Sequence, residues 1–277
     1  MVVGILSRAL ELFPVQLHGF TLLPTGYVAL ASYPDPEVMA GFHCHLNTNL
    51  SKEIGRFLQW QETVFPRRYG ATELSIEPEV ELRRLRNLLA APAARNWVQS
   101  PRDWPGVSCV DSLLTGKPLC GIWIDRAAFW EAQRRGQKVT LADFTEERTV
   151  YFAPLPSMSE LVPEARRRLV GELVREIDVE AAARHRADGT APLGVAGVLA
   201  LDPQVRPGRR KRRVRPWFYA LDPELKEAMR TALLLIMAQY AAASQELKVG
   251  NRLARFPLHT FAPTLGFVRE IEILEPG

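Results

Sequence analysis

Apolar positions along the chain alternate between blocks of period near 3.6 and blocks of period 2, and together they predict an α+β fold. Val2, Ile5, Leu6, Ala9 and Leu12 share one side of a helix over residues 1 to 13. Val15 to Leu23 and Tyr27 to Ser32 read as two adjacent strands, reversed by Pro24, Thr25 and Gly26. Asp35 and Pro36 open a helix as its cap and first-turn proline. It runs to about Gln59, with Met39, Phe42, Leu46, Leu50, Ile54 and Phe57 along the side expected to be buried. A β-like stretch follows from Tyr69 to Ile76. Pro78 starts a helix that stops near Ala91, because Pro92 cannot continue it.

The Trp- and Pro-rich stretch Trp97 to Pro105 reads as a loop. Short helices are expected at Ser108 to Leu114 and Arg126 to Arg135, and a strand near Thr149 to Ala153. Beyond the Pro154-Leu155-Pro156 hinge the pattern becomes helical. Leu161 to Arg186 and Leu221 to Val249 are long helices on either side of a connector, Ala187 to Pro216. The expected division is a first domain, residues 1–155, with a small antiparallel sheet and packed helices. A mostly helical C-terminal region, residues 156–277, follows.

Composition narrows the class. Hydrophobic residues make up 47% and charged ones 24%, a balance that excludes a wholly disordered or collagen-like chain. The longest nearly apolar stretch, Thr231 to Ala243, is broken by Gln239 and falls short of the roughly 20 residues that span a bilayer. The opening residues carry no basic segment or small-residue cleavage site, so no secretory signal and no membrane partner are expected. Cys44, Cys109 and Cys120 are an odd number without metal-ligand spacing, which points to a reducing cytoplasm.

Charge is local rather than general. The ten residues Arg206 to Arg215 hold seven cations (Arg206, Arg209, Arg210, Lys211, Arg212, Arg213 and Arg215) and no acid. Removing them from the total of 35 basic residues leaves fewer bases than the 31 acids. The isoelectric point near 9.1 therefore reports one segment, the basic linker at 206–216. Seven cations flanked by Pro207, Gly208 and Pro216 stay solvated, and suit the phosphate backbone of DNA or RNA through counterion release. The alternatives are a solvated linker without a partner, or one docked on the acids of Leu161 to Arg186.

Three blocks of sequence resemble the REP-associated tyrosine transposases, a branch of the single-tyrosine HUH nucleases. They are HGFTLLPTGYVALAS, LNTNLSKEIGRFLQWQETVFPRRYGATEL and LRRLRNLLAAPAARNWVQSPRDWPGVSC. The DWPGVSC piece is the most specific. FAPLPSMSEL, LGVAGVLALDPQVRP and ARFPLHTFAPTLGFV are similar to an extension of some bacterial members. The resemblance implies an N-terminally shortened HUH, ferredoxin-like core, DNA as ligand in single-stranded or hairpin form, and a tendency to form homodimers.

The family's chemistry rests on two constellations, and this sequence departs from both. A His-hydrophobic-His strand holds a divalent metal; the matching positions are Gly26, Tyr27 and Val28, and neither glycine nor valine offers a lone pair. A helix tyrosine attacks the DNA phosphate; the matching position is Asn87, whose carboxamide is not a nucleophile. No catalytic residue, metal ligand or cofactor is therefore expected. His43-Cys44-His45 is a literal His-hydrophobic-His string. On a helix, however, its histidines diverge by about 200°, leaving two partly exposed helical side chains. Tyr69, beside Arg67 and Arg68, matches an aromatic that the family carries with basic residues near DNA; packing at a strand start is its other reading. Trp97, Trp104, Trp123 and Trp130 read as core anchors rather than base-stacking platforms.

The functional expectation is a DNA-binding protein derived from such a transposase and lacking strand cleavage, with Arg67, Arg68, Tyr69 and the basic run as its DNA contacts. Two alternatives stay open. One is an active transposase with a rebuilt site using Mg or Mn, and the other is a non-DNA interaction module.

Overall fold

The computed structural model describes residues 1–60, 64–65, 69–205 and 216–263. The fold is α+β, and its strands form three two-stranded ladders among the described residues rather than one small sheet. The chain divides into two compact units, 1–221 and 222–277. That division falls well beyond the expected boundary near residue 155, which lies inside the first unit.

In the first unit, α1 (Val2–Leu12) leads into the hairpin of β1 (Gln16–Leu23) and β2 (Gly26–Ser32). β1 is buried on both faces, so its backbone groups must find partners on both edges. One edge pairs with β2. The other is satisfied by loops: Leu22 N–H donates to Val107 at 2.8 Å, Phe20 accepts from Cys109 at 2.9 Å, and Leu17 accepts from Ala153 at 2.8 Å. The ladder slips between Leu17 and Gly19, which makes His18 the extra residue of a bulge. Its Nδ1 lies 3.2 Å from the Ala153 carbonyl and its Nε2 2.9 Å from the Ser32 hydroxyl. Burial lowers the pKa of His18.

The bulge sorts the hairpin's side chains. Leu17 and Phe20 join Ile5, Leu6 and Ala9 of α1 in one core, together with Phe42, Leu46 and Leu50 of α2 (Pro36–Leu58). Asp35 caps α2 by accepting from Val38 N–H at 2.6 Å, and Pro36 starts it, as the sequence predicts. The opposite face carries Gly19 and Leu30 toward α3 (Pro78–Leu89). There Leu85, Leu88 and Leu89 meet Val110 of α4 (Val110–Thr115) and the stripe Val170, Val174, Ile177 and Ala181 of α6 (Pro163–Asp188). α6 belongs to this core, and Leu155 is buried in the same cluster, so no division of the packing occurs at the Pro154-Leu155-Pro156 hinge.

Several elements escaped the sequence pattern. β4 (Leu119–Ile124) pairs with β5 (Thr145–Val150), with α5 (Arg126–Arg134) between them, and α7 (Gly194–Leu199) interrupts the connector. The β-like stretch expected at Tyr69 to Ile76 contracts to β3 (Glu73–Leu74), which runs parallel to β6 (Phe218–Tyr219). The expected buried side of α2 also ends early, because Phe57 is 84% exposed. Trp104 is anchored, its indole donating to the Leu22 carbonyl at 2.9 Å with Trp97 stacked on it. Trp123 packs against the α1 core, whereas Trp130 is 56% exposed and is not an anchor.

The second unit, described to residue 263, contains α8 (Pro223–Lys248) and a return segment in which the Tyr240 hydroxyl donates to the Phe261 carbonyl at 3.0 Å. Among the described helices none is long and apolar enough to cross a membrane.

Two glycines of the first unit have opposite requirements. A Cβ on Gly4 of α1 would lie 2.0 Å from the Ile122 carbonyl oxygen of β4, a backbone atom that cannot step aside. A Cβ on Gly171 of α6 would meet only the Leu114 side chain, at 3.9 Å. Gly4→Ala is expected to destabilise by about 3 kcal/mol or more, lowering Tm by roughly 6–12 °C. Gly171→Ala is expected to raise stability by up to about 1 kcal/mol, because helical glycine is entropically costly. Thermal melts of the two variants check both signs.

Candidate nucleic-acid interface

Of the residues expected to contact DNA, Arg67, Arg68, Arg206, Arg209, Arg210, Lys211, Arg212, Arg213 and Arg215 lie outside the described residues. Tyr69 is described, as are Phe65 before the first basic segment and Val205 and Pro216 beside the second. Phe65, two residues before Arg67, packs on Tyr27 with ring centroids 6.0 Å apart. Nine residues before Arg67, the Leu58 carbonyl accepts from Gln204 Nε2 at 2.8 Å, and Gln204 stands two residues before Arg206. Just after the first segment, the Thr72 hydroxyl donates to the Pro216 carbonyl at 3.0 Å, and Pro216 ends the second. Glu73 N–H then donates to Trp217 at 2.8 Å and Ser75 N–H to Tyr219 at 3.0 Å, which forms the parallel β3–β6 pair. Leu58 and Thr72 are thus each bonded to a residue about 145 positions further along the chain.

α3 secures that edge. The Arg84 guanidinium lies 3.8 Å above the centre of the Tyr219 ring, a cation–π contact, and Arg83 donates to the Tyr219 hydroxyl at 2.7 Å. Glu77, at the head of α3, accepts from Leu221 N–H at 2.9 Å and from the Ser75 hydroxyl. Two exposed aromatic side chains stand beside these contacts: Phe57, next to Leu58, and Trp217, which is 67% exposed. Neither was singled out for nucleic-acid contact from sequence. The Trp-Phe-Tyr string directly after the cations was the available signal for Trp217. Phe57 offered none, because its spacing imitates the core stripe of α2.

Tyr69 reaches back into the fold. Its ring stacks on His43 with centroids 4.2 Å apart. His43 stacks in turn on Tyr27 at 6.0 Å, and Tyr27 on Phe20 at 5.4 Å, which makes a column of near-parallel rings. His43 is buried, contrary to the expectation of a partly exposed helical side chain. The Tyr27 hydroxyl gives its one proton to Asn47 Oδ1 at 2.8 Å. It therefore accepts at 2.8 Å from His43 Nδ1–H, and His43 Nε2 accepts from the Tyr33 hydroxyl at 2.9 Å. Every polar atom of the imidazole is used, and burial holds its pKa down to about 4. The same burial raises the pKa of the Tyr27 and Tyr33 phenols, which are the opposite of activated nucleophiles. His45 points elsewhere, against Phe13.

The positions matching the family's catalytic pair do not fit a metal. Gly26 opens β2 with φ of +140°, a backbone that disfavours any side chain, although a Cβ there would meet nothing within 4 Å. Val28 and Asn87 are exposed, Asn87 on the solvent side of α3 between buried Leu85 and Leu88. Among the described residues, no three His, Cys, Asp or Glu side chains are gathered as a metal site would require.

A neutral buried histidine fixes a pH dependence. The folded pKa of His43, about 4, lies below the unfolded value of 6.5, so the unfolded chain takes up the proton first. The stabilisation is complete above pH 6.5 and is lost as pH falls from 6.5 toward 4, at no more than about 1.4 kcal/mol per pH unit from this residue. His18 contributes with the same sign. Urea midpoints across this window are expected to fall for the wild-type chain, and to fall less steeply for His43→Gln from its lower starting stability.

Compared with known proteins, the chain matches no family model, no curated protein and no solved structure at a significant level.

Proposed function

We propose that the chain binds single-stranded or hairpin DNA and does not cut it, as a derivative of the REP-associated tyrosine transposases that its sequence blocks resemble. The observation that carries this reading is the bonding between residues that flank the two basic segments. Leu58 accepts from Gln204 and Thr72 donates to Pro216, so described residues on either side of Arg67 and Arg68 are bonded to residues on either side of the seven-cation run. Cations drawn from two distant parts of the sequence then act on one stretch of phosphates, which is how affinity without base readout is built. Tyr69, the residue directly after Arg68, packs its ring on His43.

Loss of cleavage follows from the residues at the matching positions. Gly26 and Val28 cannot ligate a metal, Asn87 cannot attack a phosphate, and the buried phenols of Tyr27 and Tyr33 are held protonated.

Binding of a labelled hairpin oligonucleotide, followed by fluorescence anisotropy across a salt series, tests the reading. Simultaneous replacement of Arg209, Arg210, Lys211, Arg212 and Arg213 by glutamine is expected to weaken binding to unrelated sequences alike. The slope of log K against log salt should shrink by about 0.7 for each phosphate that is no longer neutralised. Unchanged binding would reduce the run to a linker, and wild-type affinity without any salt slope would favour a non-DNA interaction module. A covalent protein–DNA adduct formed with Mg or Mn would overturn the absence of cleavage. Gly26→His with Val28→His is expected to leave nicking absent while Asn87 remains.

A further inference from the structure

α8 carries more apolar surface than its own unit covers. From Thr231 to Ala243 it has no charged residue, and Leu234, Leu235 and Met237 are 56%, 59% and 49% exposed. The return segment takes up one side of the helix. Tyr240 meets the Phe256 ring with centroids 5.2 Å apart and donates to the Phe261 carbonyl, and among the described residues of α8 only Ala243 is buried. Thr231, Leu234, Ala238, Ala241 and Gln245 line another side, three and four residues apart, with Leu235 and Met237 on its flanks. All seven are exposed. A helix stretch that is apolar all round belongs inside a larger packing.

That seam is complementary to itself when a second copy lies against it in the opposite direction. In an antiparallel pair centred on Ile236, Leu234 stands level with the partner's Ala238 and Thr231 with the partner's Ala241. Larger side chains then face alanines, which lets two helices approach closely. Leu235 flanks its own copy on one side of the seam and Met237 its own copy on the other, as two-fold symmetry requires. The ends match in charge. Glu224 and Lys248 lie one heptad beyond Thr231 and Ala241, both are exposed, and each stands level with the other on the partner helix. No two like charges stand level along α8 in this arrangement. A parallel pair would set Glu224 against Glu224 and Lys248 against Lys248, so the charge pattern selects the antiparallel one.

We propose that α8 is a self-association surface, whose Thr231–Gln245 seam pairs antiparallel with the same seam of a second copy and makes the chain a two-fold dimer. This pairing is independent of the DNA-binding reading and stands if that reading fails.

Sedimentation velocity of the full chain at about 100 μM tests it. The wild type is expected at twice the 31.2 kDa of one chain. Leu234→Glu and Met237→Glu each put a charge into the seam and should raise the dissociation constant at least about tenfold, with helix content by circular dichroism unchanged. Trp130→Ala, which removes an exposed ring of α5, should leave the dimer intact. Glu224→Lys or Lys248→Glu alone is expected to weaken association about tenfold, and the two together to bring it back to within about twofold of wild type. The double variant carries both changes at the helix ends, so its recovery reports pairing across copies rather than the state of α8 alone. A wild-type mass of one chain would overturn the proposal, and a lowered Tm of Leu234→Glu in that case would show that the chain covers its own seam. A dimer untouched by both glutamate variants, or a charge swap that restores nothing, would overturn it as well.

Discussion

A strand buried on both faces must have its peptide groups satisfied along both edges, and β1 is where this chain meets that constraint. β2 supplies one edge. The other is closed by Val107, Cys109 and Ala153, residues that arrive from loops far along the sequence. The His18 bulge is the local consequence, since it lets Leu17 and Phe20 face the α1–α2 core while Gly19 and Leu30 face α3. Gly19 fits the close approach of α3, with a Cβ there coming 3.2 Å from Leu88. The position of α3 is thus set by β1.

From α3 the constraint passes to the candidate interface. One side of that helix packs on the hairpin through Leu85 and Leu88 and on α6 through the shared cluster. Arg83, Arg84 and Glu77 hold the strand that follows the basic run. Arg86 completes the arrangement by pairing with Glu176 and Glu180, which ties the long helix α6 to the same element. The column Phe20, Tyr27, His43 and Tyr69 connects the interior of the hairpin with the start of the segment after Arg68. One packed strand therefore positions both flanks of the proposed DNA contact.

The elements with strong local signals were legible in sequence. Asp35-Pro36 gave the start of α2, Pro24-Thr25-Gly26 gave the hairpin turn, and Pro78 gave the start of α3. β4 was not legible because Leu119, Cys120, Ile122, Trp123 and Ile124 are apolar on both sides, without alternation. Its Gly121, which reads as a break, is there because a Cβ would lie 2.6 Å from that of Val3. The β3–β6 pair is two residues long and joins stretches about 140 positions apart, so no local pattern could announce it. Phe57 has the spacing of a core residue but falls where α2 has run past its partners. His43 was underrated because periodicity counts apolar residues, and its burial depends on two phenols, Tyr27 and Tyr33, that neutralise its polarity by hydrogen bonding. At the site, the cationic run was visible in sequence, whereas the bonds of its flanking residues, Gln204 to Leu58 and Thr72 to Pro216, are a product of tertiary structure alone.

The central claim is that two remote stretches of chain act as one nucleic-acid edge. Amide hydrogen exchange of the full chain, measured with and without a single-stranded oligonucleotide, addresses it directly. The account predicts that peptides covering 57–60 and 69–75 and peptides covering 203–205 and 216–221 gain protection together, at the same oligonucleotide concentration. Protection of only one of the two stretches, or protection confined to other parts of the chain, would contradict it.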